Sequence, residues 1–559
     1  MLKLVECVPN FSEGRDRGII DAITQEISDT EGVKLLDVDP GADTNRTVVT
    51  FIGAPEAVKQ AAFRAIRKAA ELIDMRKHQG AHARMGATDV CPLIPVSGVT
   101  MEDCVQFARQ LGERVATELE IPVYLYEAAA SRPERQSLAD IRKGEYEGLA
   151  DKFADPEWKP DFGKAQFNPK SGATVIGARE FLIAYNVNLN TRDRKLAHDI
   201  ALSIREKGRA KRDSENKIIR DATGNIIRTP GLLAATRAVG WYIEEYGQAQ
   251  VSINLINYKI TPPHIAFDTI CSEAEKRGLR VTGSELVGLI PLQALIEAGR
   301  HYLLKQGKSP GVPEEDLIET AVVSMGLRDL AEFDPDKKII EYQVQPSKGP
   351  LVKKDLRDFT NELSSDSPAP GGGSVSALAG ALAAGLSSMV ANLSIGKAEY
   401  EPVREEMMDV AVGAQTLKDQ LLVLVDKDTE AFNALMAAFS MKKKTDEQIK
   451  QRERAIEAAT QTACSVPLEV MHHSIQVLKL AKSAAEKGNE NAASDAGVAS
   501  LLAKSAVEGA GLNVKINLPG IKSKEFVETT KNELKMLLAE AATLQQQVIE
   551  IVDSKIDQK

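Results

Sequence analysis

Apolar residues recur with two different periods along the first 330 residues of this chain. Short β-branched runs predict strands, and longer stretches with an apolar residue every three or four positions predict helices. Strands that follow one another between helices favour an α+β sandwich of the ferredoxin-like type over a long parallel sheet. The predicted strands are Lys3–Val8, Val33–Asp39, Thr47–Gly53, Val90–Val96 and Val123–Tyr126, and the predicted helices are Gly18–Ser28, Pro55–Ile73 and Met101–Leu119.

A second unit of the same kind begins near Thr174. The stretch TVIGAREFLIAYNVNLNT predicts one long β-rich run, and the segment 147–172 before it, rich in Pro, Asp and Lys, predicts the join between the units. We therefore expect a second α+β unit of similar size. Its predicted helices are Asp193–Lys207 and Pro263–Arg277, and its predicted strands are Leu232–Trp241, Val251–Tyr258 and Leu279–Thr282.

The pattern changes near residue 350, where β-branched runs give way to Ala, Leu, Glu, Lys and Gln. These residues favour helices, and their long amphipathic stretches predict an all-α domain whose apolar stripes need partners, so an oligomer is expected. We expect subdomains at 1–175 and 176–330, a linker at 331–352 and a helical domain at 353–559. Its clearest predicted helices are Val403–Ser440, Glu447–Ala485 with a break at Pro467, and Glu525–Val552.

Composition narrows the class of protein. The chain is 43% hydrophobic and 27% charged with a net charge of -10, which argues against a nucleic-acid surface. Its five cysteines form no CxxC pair, which favours free thiols in a reducing compartment and no metal site. The N-terminus lacks the apolar run of a signal peptide, and Val375–Leu393 is apolar but composed mainly of small residues. We expect a cytoplasmic protein without a membrane span.

The stretch HQGAHARMGATDV holds two of the seven histidines, His78 and His82. Gly80 and Gly86 permit backbone geometries that other residues resist, which predicts a loop close to a ligand or to another backbone. An imidazole there is suited to acid/base catalysis, but a histidine that only satisfies a loop carbonyl explains the pattern as well.

Polar residues also collect in DVDPGADTNRTVVT, around a Pro-Gly turn between two predicted strands. A carboxylate such as Asp39 could orient a catalytic imidazole, although Asp and Asn are also common in turns for their own hydrogen bonds. Asn45 and Arg46 follow in the same turn, and Asn10 lies at the end of the first predicted strand. All three are candidate binding residues.

A glycine string precedes a predicted small-residue helix that begins near Ser374. Glycines before a helix N-terminus leave backbone N–H groups exposed, which suits an anion or a polar ring edge, so Gly371, Gly372, Gly373 and Ser374 are candidates. The string is also simply a flexible turn. It lacks the Gly-Lys-Ser/Thr ending of a nucleotide P-loop, which excludes that function.

The motifs CVPNFSEGRD, LLDVDPGADTNRTVVTF, GAHARMGATDVCPLIPV, VYLYEAA, IRKGEYEGL and GAREFLIAYNVNLNT occur in this order across both α+β units. Together they resemble glutamate formiminotransferase. The resemblance implies transfer of a formimino group from N-formiminoglutamate to tetrahydrofolate, a co-substrate, with no permanently bound cofactor. It places the family's catalytic histidine on His82 and an acidic partner on Asp39, and it leaves His78 to shape the loop.

Because both substrates carry carboxylates, the site needs cationic or amide donors. Four arginines inside the matching motifs are candidates for this role. Tyr185 or Asn186 is a further candidate, in a cleft between the units. Solvated surface arginines remain an equal alternative. The remaining predicted substrate-binding positions are Arg84, Arg142, Arg179 and the Gly163–Lys164 step, beside Arg46 named above.

The motifs PAPGGGSVSALAGAL, LSIGKAEYE, CSVPLEVM and GNENAASDAGVASLLAKSAVEGAGLNVKINL resemble the methenyltetrahydrofolate cyclohydrolase/formiminotetrahydrofolate cyclodeaminase family. The resemblance implies that a folate nitrogen attacks the formimino carbon and that ammonia leaves. We predict Asp495 as the acid/base, because small neighbours let a flat ring approach; helix capping is its alternative role. Lys397 and Asn513 are weaker candidates.

The order of the two resemblances is that of the bifunctional formiminotransferase-cyclodeaminase family. It implies a role in histidine degradation and one-carbon metabolism, ring-like homo-oligomers, and polyglutamylated folate among the substrates. Two alternatives stay open: a transferase whose helical half is an assembly module or a cyclohydrolase only, and a folate carrier without turnover.

Overall fold

The computed structural model describes residues 3–42, 44–80, 83–244, 246–330, 332–344 and 349–557. Two compact units contain Met1–Leu295 with Met325–Gln345, and Ile296–Ser324 with Pro346–Lys559. The expected class is confirmed: two α/β subdomains precede an all-helical region. The segment 296–324 belongs to the compact unit that holds the helical region.

The first subdomain is a mixed sheet covered by amphipathic helices. Strands β1 and β2 each pair with β4 and β5, β3 pairs with β4, and β7 lies parallel between β5 and β6. Its elements are β1 (Leu4–Cys7), β2 (Asn10–Phe11), α1 (Arg17–Ser28), β3 (Val33–Gly41), β4 (Arg46–Gly53), α2 (Pro55–Leu72), β5 (Thr88–Ser97), α3 (Met101–Glu118), β6 (Val123–Glu127), α4 (Leu138–Ile141), α5 (Leu149–Ala154) and β7 (Thr174–Ala178).

The second subdomain has a four-stranded sheet in the order β11-β12-β8-β13, with antiparallel neighbours. Its elements are β8 (Ile183–Leu189), α6 (Arg194–Ile204), β9 (Arg209–Ala210), β10 (Arg228–Thr229), β11 (Thr236–Ile243), β12 (Gln248–Leu255), α7 (Pro263–Glu275) and β13 (Val281–Val287). They are followed by α8 (Leu292–Lys305), α9 (Glu314–Met325), α10 (Pro335–Lys338) and α11 (Ile340–Val344).

Two strand predictions need correction. The single run from Thr174 is two strands, β7 in the first sheet and β8 in the second, because the chain leaves the first sheet at Arg179, whose N–H still bonds Leu93 O. The strand predicted from Leu232 begins at Thr236. The N–H groups of Leu232 and Leu233 bond instead to carbonyls at the end of α6, which keeps them out of the sheet.

The helical region has six α-helices in the described range 349–557, and α13 and α16 run antiparallel in its core. Gly509 lies beside Ser376, and Gly372 lies beside Asn513. Small residues allow this close approach. The helices are α12 (Leu356–Leu363), α13 (Gly372–Asn392), α14 (Arg404–Ser440), α15 (Asp446–Lys487), α16 (Ala493–Asn517) and α17 (Lys524–Asp557).

The predicted break at Pro467 is wrong, because α15 continues through it. Proline lacks the N–H that would bond the carbonyl four residues earlier, at Ala463. The side chain of Asn517 donates to that carbonyl instead, at 2.9 Å. A distant amide therefore satisfies the group that the proline leaves open.

One helix of the described chain, α13, is long and apolar enough to cross a membrane by length and composition. About 61% of its most apolar window is buried inside the protein. This extent of burial is typical of a core helix in a helical domain.

Candidate functional site

The turn between β3 and β4 is tied to two other segments by Asn45. Its backbone is in the left-handed region, with φ of 48°. Its side-chain oxygen accepts from Gly14 N–H at 3.0 Å, and its amide donates to Gln79 O at 3.0 Å. A Cβ on Gly14 would lie 2.3 Å from Gly41 O, so only glycine allows this approach.

The histidine-containing loop is anchored on both sides of residues 81 and 82. His78 Nε2 lies 2.8 Å from Asn45 O, and Arg84 Nε lies 3.3 Å from His78 Nδ1. Arg84 also binds Glu145 at 2.9 Å and Glu147 at 2.6 Å. The bond to Glu147 raises the pKa of Arg84, and in return Arg84 lowers the pKa of Glu147. His82 itself, like Asp43, lies outside the described residues.

Arg142 and Asp89 form an ion pair in which Asp89 is buried and Arg142 is half-buried. Asp89 is 0% exposed, binds the guanidinium of Arg142, and accepts from Met85 N–H at 3.0 Å. Arg46, on β4, lies in the field of both groups. Burial, followed by the charge of Arg142, lowers the pKa of Arg46, while Asp89 and the exposed Asp39 act in the opposite direction. We call Asn45, Arg46, His78, Arg84, Asp89 and Arg142 the loop cluster.

Arg179 follows β7 and lies near a buried carboxyl group. Its guanidinium donates to Glu180 O at 3.0 Å. Burial raises the pKa of Glu6, on β1, from 4.5 to about 7; Arg179 partly offsets this, and Glu341 adds to it. Burial also raises the pKa of Tyr126, which Arg179 opposes. Arg179 therefore partly offsets the effect of burial on the pKa values of Glu6 and Tyr126 in the first sheet.

A cavity of about 480 Å³ lies beside Gly163 and Lys164, between the end of α3 and residues of the segment 163–169. Phe167 in its wall packs on Tyr146, with ring centroids 5.3 Å apart. Tyr146 stands between Glu145 and Glu147, the two partners of Arg84. One aromatic contact thus connects the cavity wall to the loop cluster.

Three further candidates lie on the strands. Asn10 is buried on β2 and donates to Val8 O at 3.1 Å. Tyr185 is buried, its pKa is raised by that burial, and charges on Asp268 and Cys271 of α7 act on it, so it lies on the helix side of the second sheet. Its neighbour Asn186 points to the opposite face, where it donates to Glu285 at 3.4 Å.

Gly371 to Ser374, the glycine motif, form the N-terminus of α13. A Cβ on Gly373 would lie 2.1 Å from Asp428 Oδ1, so glycine is required for this contact with α14. Ser374 Oγ donates to Val425 O at 2.8 Å and lies 3.3 Å from Asp428 Oδ2. Burial raises the pKa of Asp428, which the bonds from Ser374 partly offset.

Lys397 and Asp495 lie at the other end of α13. Asn489, just before α16, donates to Leu393 O at 3.2 Å, and Asp495 is in the first turn of α16. Lys397 is exposed, with its Nζ 5.9 Å from the ring centroid of Tyr400. At 1.5 Å per residue, the 21 residues of α13, Gly372–Asn392, span ~30 Å. Within one chain, Asp495 and the glycine motif are not brought together.

Three family models match consecutive parts of the chain. Residues 4–179 match the formiminotransferase domain, N-terminal subdomain; residues 184–345 match the formiminotransferase domain; and residues 355–536 match formiminotransferase-cyclodeaminase. The formimidoyltransferase-cyclodeaminase of Rattus norvegicus is 44% identical over 97% of both chains.

The chain belongs to the formimidoyltransferase-cyclodeaminase family.

Relatives of each half exist as separate proteins. The glutamate formimidoyltransferase of Streptococcus pyogenes is 42% identical over 54% of this chain and 94% of its own length. The methenyltetrahydrofolate cyclohydrolase of Methylorubrum extorquens is 41% identical over 36% of this chain and 97% of its own length. Among the described residues, no three His, Cys, Asp or Glu side chains are grouped to hold a metal ion.

For this member of the family, two groups can be distinguished among the sequence candidates of the α/β unit. Asn45, Arg46, Arg84 and Arg142 meet in the loop cluster, and Asp39 is close enough to act on Arg46. Arg179, Tyr185 and Asn10 have roles inside the subdomains. Asp428 was missed by the sequence analysis, although LLVLVDKDTEAF does place two aspartates within an apolar helical stretch. One of them, Asp426, accepts a hydrogen bond from Leu351 N–H at 2.8 Å.

Proposed function

We propose that the α/β unit transfers the formimino group of N-formiminoglutamate to tetrahydrofolate, and that the helical unit closes the product to methenyl-tetrahydrofolate with release of ammonia. Relatives of both halves carry names that fit these two steps, in the order found along this chain. The observation that carries the first step is the loop cluster, which holds three arginines around a loop with two histidines.

The arginines of the loop cluster have different tasks in this proposal. Arg84 and Arg142 are held by carboxylates of the protein, so they position the loop. Arg46 is partly buried beside the positive charge of Arg142, an arrangement that a bound anion would stabilise. We assign Arg46 to a substrate carboxylate.

In the transfer step the folate ring nitrogen attacks the formimino carbon, and the glutamate amine leaves the tetrahedral intermediate. One proton must leave the attacking nitrogen, and one must reach the departing nitrogen. A histidine that titrates near neutrality is suited to both transfers, so we assign His82 as the acid/base and Asp39 as its acidic partner.

We assign the cavity beside Gly163 and Lys164 to folate. Its volume of about 480 Å³ lies in the range of small-molecule sites, and Phe167 offers a flat ring to stack on. The contact between Phe167 and Tyr146 links the wall of this cavity to the segment that binds Arg84 of the loop cluster.

For the second step we assign Asp428 rather than Asp495. The folate bridge nitrogen attacks the formimino carbon, and the departing nitrogen needs a proton to leave as ammonia. A carboxyl group whose pKa is raised by burial keeps more of its proton near neutrality, as a general acid requires. The N-terminus of α13, at the glycine motif, would face the polar edge of the folate.

The test is a coupled assay of the intact chain. It is supplied with N-formiminoglutamate and tetrahydrofolate, and both ammonia and methenyl-tetrahydrofolate absorbance are followed. Both products are expected in equal amounts. A protein that binds folate and forms neither product would refute the proposal in favour of a carrier.

A second candidate activity for the helical unit is methenyltetrahydrofolate cyclohydrolase, favoured by the 41% identical relative of that name. Supplying methenyl-tetrahydrofolate without ammonia separates the two activities. Loss of its absorbance, together with no ammonia in the coupled assay, would assign the cyclohydrolase reaction instead.

We further propose a cytoplasmic homo-oligomer with two ferredoxin-like subdomains. The five cysteines are free thiols, which supports a reducing compartment. Val375, Leu382 and Met389 recur every seven residues on α13 and are exposed, Leu382 by 53%, and Ile516 of α16 is 76% exposed. Such a stripe supports packing on a second copy. Light scattering of L382D is expected to give a smaller particle than the wild type.

A further inference from the structure

The imidazole of His78 makes two contacts that together fix its protonation state. Its Nδ1 lies 3.3 Å from Arg84 Nε, which can only donate, so Nδ1 must accept. Its Nε2 lies 2.8 Å from Asn45 O, which can only accept, so Nε2 must carry the proton. These two requirements select the neutral imidazole that is protonated on Nε2.

The partners of His78 are themselves fixed. Asn45 bonds Gly14 and Gln79, which holds the chain just before residue 80. Arg84 binds Glu145 and Glu147, which holds the chain from residue 84 onward. His78 connects these two anchors, so it sets the separation of the two ends of the loop that carries residues 81 and 82.

We propose that His78 is a positioning residue of the transfer step and performs this role only as the neutral imidazole. The proposal rests on the assignment of His82 as the acid/base. A second proton on His78 would place an N–H opposite the N–H of Arg84 and add a positive charge beside a guanidinium. That repulsion would separate the two anchors.

The charges around His78 are of both signs. Arg84 faces it directly, Glu145 and Glu147 are bound to Arg84, and Glu147 is also within electrostatic reach of His78. A nearby carboxylate does not restore the acceptor that the Arg84 N–H needs on Nδ1. On the segment of His78 itself, Asp74 and Arg76 pair with each other at 2.7 Å. Protonation of His78 therefore weakens its contact with Arg84.

A pH profile follows from this arrangement. If both His78 and His82 must be neutral, log kcat for transfer falls toward acid pH with a limiting slope of two. A variant that keeps both hydrogen bonds but cannot titrate at position 78 has a slope of one.

The variants are H78Q and H78A, with H198A as a matched control. A glutamine amide can accept from Arg84 and donate to Asn45 O without titrating. His198 also accepts a backbone N–H through Nδ1, from Gly240 at 3.3 Å, but it lies in the second subdomain. We expect H78A to lower kcat about tenfold with little change in KM, since the loop is misplaced while the binding groups remain. H78Q restores most of kcat and has a slope of one, and H198A behaves like the wild type.

A measurement without turnover completes the test. The ¹⁵N spectrum of histidine-labelled protein, with His78 assigned by its loss in H78Q, is expected to give the Nε2-protonated tautomer at neutral pH. The other tautomer, an unchanged kcat in H78A, or a slope of two in H78Q would overturn the proposal. A wild type without any transfer activity would instead refute the function on which it rests.

Discussion

The loop cluster is held by ion pairs between segments far apart in the chain, whereas the glycine motif is held by close packing on a neighbouring helix. Arg142 reaches Asp89 across 53 positions, and Arg84 reaches Glu147 across 63. At the glycine motif, the nearest functional group is one carboxylate, Asp428, in contact with Gly373. In the proposed function, the first arrangement would surround a small, highly charged substrate with side chains, and the second would give a flat ring access to the backbone and one acid.

The difference between the two sites is tested most strongly by H82A. Removal of the proposed acid/base is expected to lower formimino transfer by about 10²–10⁴-fold. Ammonia release from supplied formimino-tetrahydrofolate should remain at the wild-type rate, because that step belongs to the helical unit. Transfer at the wild-type rate in H82A would exclude His82 as the acid/base.

R142A tests whether the loop cluster depends on its ion pair. The variant leaves the carboxylate of Asp89, which is 0% exposed, without its guanidinium, and we expect a loss of about 3 kcal/mol in the free energy of unfolding of the α/β unit. Chemical denaturation followed by tryptophan fluorescence measures it, because Trp158 and Trp241 both lie in this unit. K143A, which removes an exposed partner of Asp140, is the control and should change little. Equal stability of the two variants would show that the pair contributes nothing.

E6Q tests the buried carboxyl near Arg179. The pKa of Glu6 is raised from 4.5 to about 7, so between these values the folded state holds a proton that the unfolded state has lost. The free energy of unfolding therefore falls as pH rises through this window, by up to about 3 kcal/mol. In E6Q this fall should be absent. The free energy of unfolding of the variant, relative to that of the wild type, should therefore rise from about pH 4.5 to about pH 7. E56Q, at an exposed position, should follow the wild type; parallel curves for all three proteins would contradict the assignment.

G373A tests the close packing of the glycine motif. Its methyl group would lie 2.1 Å from Asp428 Oδ1 and must displace that carboxylate, so we expect at least about a tenfold loss of ammonia release. In G371A the added carbon would lie 4.0 Å from Pro368 O, an ordinary contact, so this control should retain its activity. Equal ammonia release by the two variants would show that the close packing of Gly373 on Asp428 is not needed for activity.

Local features of this chain could be predicted from sequence because they depend on local periodicity. Helices α2 and α3 begin at Pro55 and Met101, where the apolar spacing predicted them. The turn around Asn45 and the loop after His78 were identified as functional candidates, because glycine and polar residues interrupt the strands there.

Long-range pairings could not be read in the same way. An acid in the middle of a long helix, such as Asp428, has the same local pattern as a solvated one, and only its contacts with Gly373 and Ser374 distinguish it. Asp495 was preferred because its neighbours are small, but that property also serves the packing of α13 on α16. The helix through Pro467 depends on Asn517, 50 positions further along, and no local signal indicates that bond.

The most direct test of two separate active sites is a comparison of D428N and D495N in the coupled assay with both substrates. D428N is expected to form formimino-tetrahydrofolate at the wild-type rate while ammonia and methenyl-tetrahydrofolate fall at least about 100-fold, and D495N is expected to retain both steps. Full ammonia release by D428N, or its loss in D495N alone, would contradict the assignment of the second site to the glycine motif and Asp428.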